Sequence, residues 1–446
     1  MRPRPPKETI GLQHIMIVEP LELEVLATLS SPEHQAVIVD MILEKKDPAW
    51  FIRAHKPDMI CLTGYITHVP ILKEYCLLAK SIDPGIITVC GGVHIELFPE
   101  DLNGEYVDFR VVRNACCSFP RLLKYLSYKG DFPGGVLRKT EVIDHAKLPD
   151  FDFYFPIPDR SFTRQYHKKY FYIFHKEVAL MKTSFGCPFH CSFCYCRKIT
   201  GEIYAERPLA DVILELQGIP QEEIYIVDDD FLCSASRLKN FLKLLKENNI
   251  RKKYLIYGRA DFIASHEDLI QEFKEAGLRT VIVGLESFFD EELSQMNKQS
   301  NGNTNERALQ VLNHHGVDCY AAVILSPGWG KEEFAYIRKQ LLNLKVRFVN
   351  LQPLTPLKGT DMVAMEDKLI VSRDDFEKWD LAHVILQPEK LSLDAYYIEI
   401  IKLYNAILFR PSHLWQHLKY PLSMQFKLMK GLYKVYRQYK KFARPD

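Results

Sequence analysis

Three cysteines stand close together in the segment Cys187-Pro-Phe-His-Cys191-Ser-Phe-Cys194. Soft thiolates favour iron, and this short spacing brings three sulfurs towards one cubane iron–sulfur cluster. Three protein ligands leave one iron of such a cluster open to bind a small chelating molecule. A zinc knuckle or simple burial of the thiols is the alternative interpretation of the same pattern.

Charged residues follow three β-rich runs in the second half of the chain. Asp228, Asp229 and Asp230 form a run of carboxylates that repel one another, and a bound ammonium group would relieve that repulsion. Glu286 and Ser287 end a further run, where a carboxylate suits hydrogen bonding to hydroxyl groups. Arg259 either contacts a ligand or pairs with a neighbouring acid.

The elements that position these residues alternate between strand and helix patterns over residues 178–353. Helices are predicted over 236–248 and 267–276, with Gly277 suited to stop the second helix. Six strand and helix pairs predict an α/β unit, a curved partial (β/α)6 barrel rather than a closed eightfold one. The predicted strands are 179–184, 223–227, 254–258, 280–284, 320–325 and 348–351.

The first 128 residues predict a second α/β unit. Its apolar or β-branched runs are typical of strands covered on both faces, so we predict a doubly wound, Rossmann-like parallel sheet. Ligands of such sheets lie beyond the carboxyl ends of the strands, which points to the loops 63–67 and 91–94. The predicted strands are 14–18, 36–40, 58–62, 86–90 and 107–112.

The second half resembles the radical S-adenosylmethionine (SAM) superfamily, whose hallmark is this cysteine triad with an aromatic residue before the third cysteine, here Phe193. The resemblance implies a [4Fe-4S] cluster with SAM at its open iron. It places the SAM amine near Asp228 to Asp230, and the SAM ribose and carboxylate near Glu286 and Ser287. Similar motifs follow in order at 226–231, at 258–261 with Arg259, at 284–287, at 326–328 and at 350–360 with Gln352.

The first half resembles the cobalamin-binding domains that precede this barrel in one branch of the family. Small residues at strand ends let a large flat ring approach the backbone, which gives a physical reason for the glycines. The Asp-x-His-x-x-Gly motif is absent, so cobalamin is expected to bind without a lower histidine ligand. Residues 114–118 depart from the Gly-Glu-rich turn of relatives, which indicates changed local contacts. The predicted cobalamin contacts are Thr63, Gly64, Tyr65, Gly91, Gly92 and His94.

Four regions are predicted: a cobalamin-binding domain over 1–128, a linker over 129–176, the barrel over 177–357 and a helical C-terminal region over 358–446. The last 28 residues, 419–446, hold eight Lys or Arg and one acid, interleaved with apolar and aromatic residues. This composition suits an amphipathic surface helix that meets anionic lipid or an acidic partner. A solvated helix packed on its own domain is the alternative.

Composition excludes some classes of function. The chain has 446 residues, 47% hydrophobic and 26% charged, with a net charge of +1, so no global field favours nucleic acid. Eleven cysteines without an export signal indicate reduced thiols and a cytoplasmic protein. The expected partners are a small-molecule or lipid substrate and an electron donor such as flavodoxin or ferredoxin.

The resemblance implies that the reduced cluster cleaves SAM to a 5′-deoxyadenosyl radical, which removes hydrogen from an unactivated carbon. The leading hypothesis is methylation of a small molecule or lipid, with cobalamin carrying the methyl group. The nearest alternative keeps both cofactors but performs a cyclisation, rearrangement or oxidation. A methylthiotransferase needs a second cysteine set in the N-terminal domain, which is not visible. A non-enzymatic cobalamin- or zinc-binding regulator is the last alternative.

Overall fold

A computed structural model describes residues 1–10, 15–408, 410 and 422–443. Two main sheets organise these residues. The larger one has six parallel strands in chain order, each hydrogen-bonded to the next, and it confirms the predicted partial barrel. Its strands are Ala179–Met181, Glu223–Ile226, Lys253–Arg259, Leu278–Glu286, Asp318–Leu325 and Phe348–Pro353.

Helices cover the outer face of this barrel. The two predicted over 236–248 and 267–276 are confirmed. The second ends at Gly277, whose φ of +122° and close approach to Lys252 exclude a side chain. The barrel helices are Leu209–Gly218, Ala235–Glu247, Ala260–Ser265, Glu267–Ala276, Asp290–Gln295, Gly302–His314 and Lys331–Asn343.

Side chains alternate between the two faces of each barrel strand. One set, including Val281 and Val283, packs beneath the helices. The other set fills the lower part of the concave face with a second apolar cluster, which includes Leu255, Ile282 and Phe348. By the same alternation, residues four positions further along these strands lie on the upper concave face, and these are Arg259, Glu286 and Gln352.

The smaller sheet belongs to the first half of the chain and has helices on both faces. Helices Pro48–His55 and Val69–Ile82 pack on one face, while Leu21–Ser30 and Ala115–Tyr128 contribute to the other. The predicted strands at 58–62, 86–90 and 107–112 are confirmed. The sheet order is Met59–Thr63, Ile87–Gly91, Phe109–Val111 and Val136–Arg138, of which the last runs antiparallel.

Two predicted strands of this sheet are wrong. Within 14–18, the structure describes Met16–Ile17 as a strand of a separate small sheet, paired with Phe171–Tyr172; residue 14 lies outside the described residues. Within 36–40, only a single bridge from Asp40 to Arg2 forms. Ile38 and Val39 are nevertheless buried, because a short apolar run indicates burial without specifying which element covers it.

The bridge between the two halves is more structured than a linker. Strand Val136–Arg138 lies inside the predicted linker and extends the smaller sheet. Further along, Arg160 is buried and pairs with Glu19 at 3.4 Å and with Glu215 at 2.9 Å. One guanidinium therefore joins the N-terminal segment to a barrel helix. The region boundaries themselves stay predictions.

The C-terminal region contains the helices Leu393–Leu408 and Leu422–Phe442, which agrees with the predicted helical character. The predicted basic segment begins and ends outside the described residues, at 419–421 and 444–446. In the described part of the chain, no helix has the combined length and apolar character required to cross a bilayer.

Candidate active site

The loop that carries the cysteine triad is held from two sides. The backbone N–H of Ser192 donates to the carbonyl oxygen of Met296 at 3.0 Å, and the Asn297 side chain donates to the carbonyl of His190 at 2.8 Å. From the other side, the N–H of Asp361 donates to the carbonyl of Ser192 at 3.1 Å. Segments that follow the fourth and the sixth barrel strands thus fix the loop after the first.

The three thiols do not have the spacing of ligands to a single zinc ion. Cys191 is buried, and Cys187 and Cys194 are half-buried. Among the described residues, the three sulfurs do not form a set that lies within 4.8 Å of one another. A single zinc ion at about 2.3 Å from each sulfur would bring the sulfurs to about 3.8 Å. The wider spacing fits a cluster, in which each sulfur binds a different iron.

Arg259 at the end of the third barrel strand contacts the cysteine loop. Its Nη1 donates to Sγ of Cys191 at 3.8 Å, and its guanidinium carbon lies 3.7 Å from the ring centre of Phe189. It also pairs with Asp261 at 3.0 Å. The interpretation that Arg259 pairs with a neighbouring acid is confirmed, and its contact with a bound ligand stays a prediction.

The three aspartates of the second-strand motif differ in what they contact. Both oxygens of Asp228 are occupied, because they accept from the backbone N–H of Thr183 at 2.6 Å and from the hydroxyls of Thr183 and Ser184. Asp228 thereby braces the start of the cysteine loop. Asp229, half-buried, stands between this bracing residue and Asp230.

Asp230 keeps an unsatisfied oxygen. Its Oδ1 accepts from the N–H of Leu232 at 3.1 Å, whereas its buried Oδ2 has no partner among the described residues. Burial raises the pKa of Asp230 to about 6. A buried acceptor without a donor is costly, so this oxygen suits a donor from a bound ligand, such as an ammonium group.

A buried ion pair stands at the end of the fourth barrel strand. Lys298 Nζ donates to Oε1 of Glu286 at 2.9 Å. Glu286 has a φ of +61°, a strained value for a residue with a side chain and a frequent one at functional sites. Gly284 leaves space for the pair, because a Cβ there would lie 2.4 Å from Oε1 of Glu286.

Sequence reasoning missed Lys298. It lies in a turn with no motif around it, and only its contact with Glu286 marks it. A lysine beside a carboxylate offers donors to an anionic group and acceptors to hydroxyl groups in one place. The pair therefore suits a ligand that carries both a carboxylate and a ribose.

Ser287 is turned into the protein. Its hydroxyl donates to Oε2 of Glu292 and accepts from the N–H of Phe289 at 3.1 Å. Phe193 packs in an apolar cluster that includes Leu354, and its ring centre lies 5.9 Å from Nζ of Lys298. Gln352 is half-buried on the sixth strand, paired with Ile324.

At the edge of the smaller sheet, two glycine-containing loops touch. Thr63 pairs with Gly91 at the ends of neighbouring strands. Gly92 has a φ of +100°, and a Cβ there would lie 2.7 Å from Oγ1 of Thr63 and 2.9 Å from the backbone of Gly64. A side chain at position 92 would force the loops apart, so packing within the chain itself requires a glycine there. The contact of Gly92 with a cobalamin ring stays a prediction.

An open pocket, which we call the inter-sheet pocket, lies between the two carboxyl edges. Tyr195, which directly follows the cysteine triad, lines the barrel side. The smaller sheet therefore faces the cysteine loop across this space. The lining residues are Tyr65, Ile66, Val93, His94, Leu97, Phe98, Tyr195, Leu357 and Lys358.

His94 is buried in the wall of this pocket. Its Nε2 lies 2.9 Å from Oδ2 of Asp101, and Lys358 Nζ donates to the same carboxylate at 3.2 Å. Lys358 also pairs with Glu100 at 2.6 Å. This chain of contacts crosses from the smaller sheet to the segment that follows the sixth barrel strand.

The atypical turn at 114–118 contacts the bridge. Asn114 donates from Nδ2 to the carbonyl of Asp150 at 2.6 Å and accepts from the N–H of Asp152 at 3.0 Å. Cys117 Sγ donates to the carboxylate of Asp152 at 3.0 Å. Asn114 and Cys117 of this turn thus bind this chain's own bridge.

Comparison with known proteins agrees with this geometry. Residues 181–341 match the radical SAM superfamily, and residues 16–122 match the B12 binding domain. The chain belongs to the radical SAM enzymes that carry a cobalamin-binding domain, which the motifs predicted.

Individual relatives differ in the reaction for which they are named. The hopanoid C-3 methylase of Methylococcus capsulatus is 28% identical over 396 residues, which cover 86% of this chain and 75% of that protein. The anaerobic magnesium-protoporphyrin IX monomethyl ester cyclase of Rubrivivax gelatinosus is 25% identical over 360 residues, 75% of this chain and 63% of that one. The radical SAM methyltransferase TsrM from Kitasatospora setae, solved with cobalamin and a [4Fe-4S] cluster, has a TM-score of 0.70 at 16% identity, covering 95% and 97% of the two chains. This last likeness shows the shared fold.

The cofactors are a [4Fe-4S] cluster, SAM and cobalamin, and the residues present fit each of them. The cysteine triad supplies three thiols, which leaves one iron of the cluster open for SAM. The lone oxygen of Asp230 and the pair of Glu286 with Lys298 suit the amine, ribose and carboxylate of SAM. At the edge of the smaller sheet, Gly92 presents backbone rather than a side chain to a flat ring.

Proposed function

We propose that the protein methylates an unactivated carbon of a small molecule or lipid. The observation that carries this proposal is the inter-sheet pocket, which places the edge of the cobalamin-binding sheet opposite the cysteine loop. A methyl group carried by cobalamin on the side of the smaller sheet and a substrate held on the barrel side would meet in this space. When bound, the three cofactors supply a 5′-deoxyadenosyl radical and a transferable methyl group.

The chain's own residues bind and orient SAM and hold the cysteine loop in position. Lys298 and Glu286 hold the carboxylate and ribose of SAM, and Asp230 accepts a hydrogen bond from its amine. Asp229, which follows Asp228, is the second candidate to accept a hydrogen bond from the SAM amine. Asp228 keeps its bonds to Thr183 and Ser184 and so holds the cysteine loop in register. These contacts supply binding and position, which is the protein's share in a cofactor enzyme.

The lining of the inter-sheet pocket favours an apolar substrate. Among its lining residues, Ile66, Val93, Leu97, Phe98 and Leu357 are apolar, and two tyrosines add aromatic surface. The methylase relative from Methylococcus capsulatus is named for a hopanoid. Both observations support a lipid over a charged metabolite as the substrate class.

We also propose that cobalamin binds without a histidine ligand to cobalt. The support for this proposal is the absence of an Asp-x-His-x-x-Gly motif from the sequence. Tyr65 and Gly64 remain at the sheet edge to contact the ring.

A flavodoxin or ferredoxin is the proposed electron donor, and the cytoplasm is the proposed compartment. Pro188 and His190 of the cysteine loop are exposed, so an electron has a short path to the cluster from the surface. None of the eleven cysteines forms a disulfide, as expected in a reducing compartment.

A cyclisation without methyl transfer is the second candidate, and the similarity to a named cyclase supports it. Turnover with SAM whose methyl group carries an isotopic label separates the two. We expect label in the product. An unlabelled product formed together with 5′-deoxyadenosine would replace methylation by the second candidate.

A further inference from the structure

The C-terminal helix Leu422–Phe442 binds the rest of the chain through one face. Leu428 and Tyr439 on that face are buried. Gln438 donates from Nε2 to the carbonyl of Thr9 at 3.1 Å, and the ring of Phe442 stacks on that of Tyr397 at 5.2 Å. The helix is therefore fixed on the surface of the protein.

The opposite face of this helix carries a line of exposed apolar and aromatic residues, which we call the outer stripe. Their spacing of four, three, four and three residues places all five on one side of an α-helix. Single exposed apolar residues are common, whereas a continuous line of them marks an interaction site. The exposed fractions are 66% for Leu422, 74% for Phe426, 53% for Met429, 60% for Tyr433 and 36% for Tyr436.

A line of cations runs beside the outer stripe. Lys430, Lys434, Arg437 and Lys441 are all exposed and follow the same helical spacing, displaced to one side. The helix contains six Lys or Arg and no acid. None of these four cations forms an ion pair with any described residue.

We infer that helix Leu422–Phe442 docks the protein on the surface of an anionic lipid bilayer. The outer stripe enters the boundary between headgroups and acyl chains, and the cations meet the lipid phosphates. Charge complementarity selects this occupant. A second copy of the helix would bring two cation lines together, and an acidic protein surface would leave the apolar stripe unmatched.

The helix lies on the bilayer rather than through it. It is 21 residues long, but its cations and its attachment to the protein along one face exclude a spanning position. The inference goes beyond the proposed reaction, because vesicle binding is measured without turnover and without a substrate.

The test uses the full-length protein and flotation of vesicles. Vesicles of phosphatidylcholine with about one third phosphatidylglycerol are expected to carry the protein, and vesicles of phosphatidylcholine alone to leave it behind. Binding should fall as salt rises, because salt screens the cations. Equal recovery on both vesicle types would overturn the inference.

Two variants separate the contributions of the stripe and of the cations. We expect F426S combined with M429S and Y433S, and K430Q combined with K434Q and R437Q, each to weaken binding about tenfold. Leu214 is an exposed leucine on a barrel helix, so L214S is the matched apolar control, and K243Q on helix Ala235–Glu247 is the charge control. Both controls should bind like the wild type.

Melting temperature and iron content show whether the stripe variants remain folded. If folded stripe variants bind anionic vesicles like the wild type, the inference is wrong. Light scattering tests the competing occupant: a wild-type dimer that becomes a monomer in the F426S, M429S and Y433S variant, with no vesicle binding by either, would assign the stripe to a second copy.

Discussion

Arg259 donates a hydrogen bond from Nη1 to Sγ of Cys191, 68 positions earlier in the chain. The same guanidinium donates to the carbonyl of Lys298 at 2.7 Å and lies against the ring of Phe189. One side chain at the end of the third strand thus joins the cysteine loop to the turn that carries Lys298. Its position links cluster chemistry to the binding of SAM.

A donor beside a cluster sulfur favours the more negative, reduced state of the cluster. We therefore expect R259Q to make the reduction potential of the reconstituted cluster more negative, on the order of tens of millivolts. A redox titration followed by electron paramagnetic resonance measures this shift. R279Q, which changes an exposed arginine, serves as control. An unchanged potential with full iron content would show that Arg259 acts on the fold alone.

The pair of Glu286 with Lys298 predicts a separation between stability and ligand binding. K298M leaves a buried carboxylate without a partner, which costs about 3–5 kcal/mol of folding free energy. Adding E286Q removes that charge and should recover most of the melting temperature. SAM affinity, measured by calorimetry on anaerobic protein, should stay at least tenfold weaker in both variants. Wild-type affinity in the recovered double variant would contradict the proposed contact.

The two aspartates with defined contacts should respond differently to the same substitution. D228N places an amide N–H₂ against the donors of Thr183 and Ser184, so we expect the cysteine loop to loosen and the iron content to fall. D230N should keep the cluster and weaken SAM binding. Iron and sulfide analysis together with SAM titration gives both results. An equal loss of iron in the two variants would mean that Asp230 also holds the cysteine loop in position.

A substitution of Gly92 tests cobalamin binding separately from cluster binding. G92A forces a Cβ to within 2.7 Å of Thr63 Oγ1 at a φ of +100°. We expect bound cobalamin, measured by its visible absorbance, to fall strongly while iron content stays normal. Gly130 has open space around it, and G130A should retain cobalamin. Full retention by G92A would place the cofactor away from this edge.

Glu24 predicts a loss of stability at alkaline pH. Burial, assisted by the nearby Glu19 carboxyl, raises the pKa of Glu24 from 4.5 to about 8. The folded protein thus holds this proton more tightly than the unfolded chain, so the contribution to stability is full below about pH 4.5 and is lost as the pH rises through about 8. E24Q should melt a few degrees above the wild type at pH 9, and the difference should shrink as the pH falls towards 4.5. E33Q, at an exposed position, should show no such difference.

The barrel could be predicted from the sequence because each strand is a distinct β-branched run followed by a helix with a clear period. The smaller sheet was harder. Its edge strand Val136–Arg138 has three residues, too few to show a pattern, and the run at 36–40 is buried without joining the sheet. Short apolar runs report burial, while pairing depends on what the rest of the chain brings near them.

The candidate active site could likewise be predicted only in part from the sequence. The cysteine triad and the run Asp228 to Asp230 are visible as motifs, but the difference between Asp228 and Asp230 depends on Thr183, 45 positions away. Lys298 is marked by its contacts with Glu286 and Arg259, neither of which a sequence pattern reveals. The apolar side of the C-terminal helix is likewise defined by which face contacts residues such as Thr9, at the other end of the chain.

Arg160 connects the bridge to both halves of the chain. Its guanidinium pairs with Glu19, which precedes the smaller sheet, and with Glu215 on a barrel helix. Glu215 also pairs with Arg207 at 2.7 Å. Cutting the chain between the halves would leave buried charges without partners on both sides. The two cofactor-binding halves should therefore unfold in one transition, and neither is expected to survive as an isolated fragment.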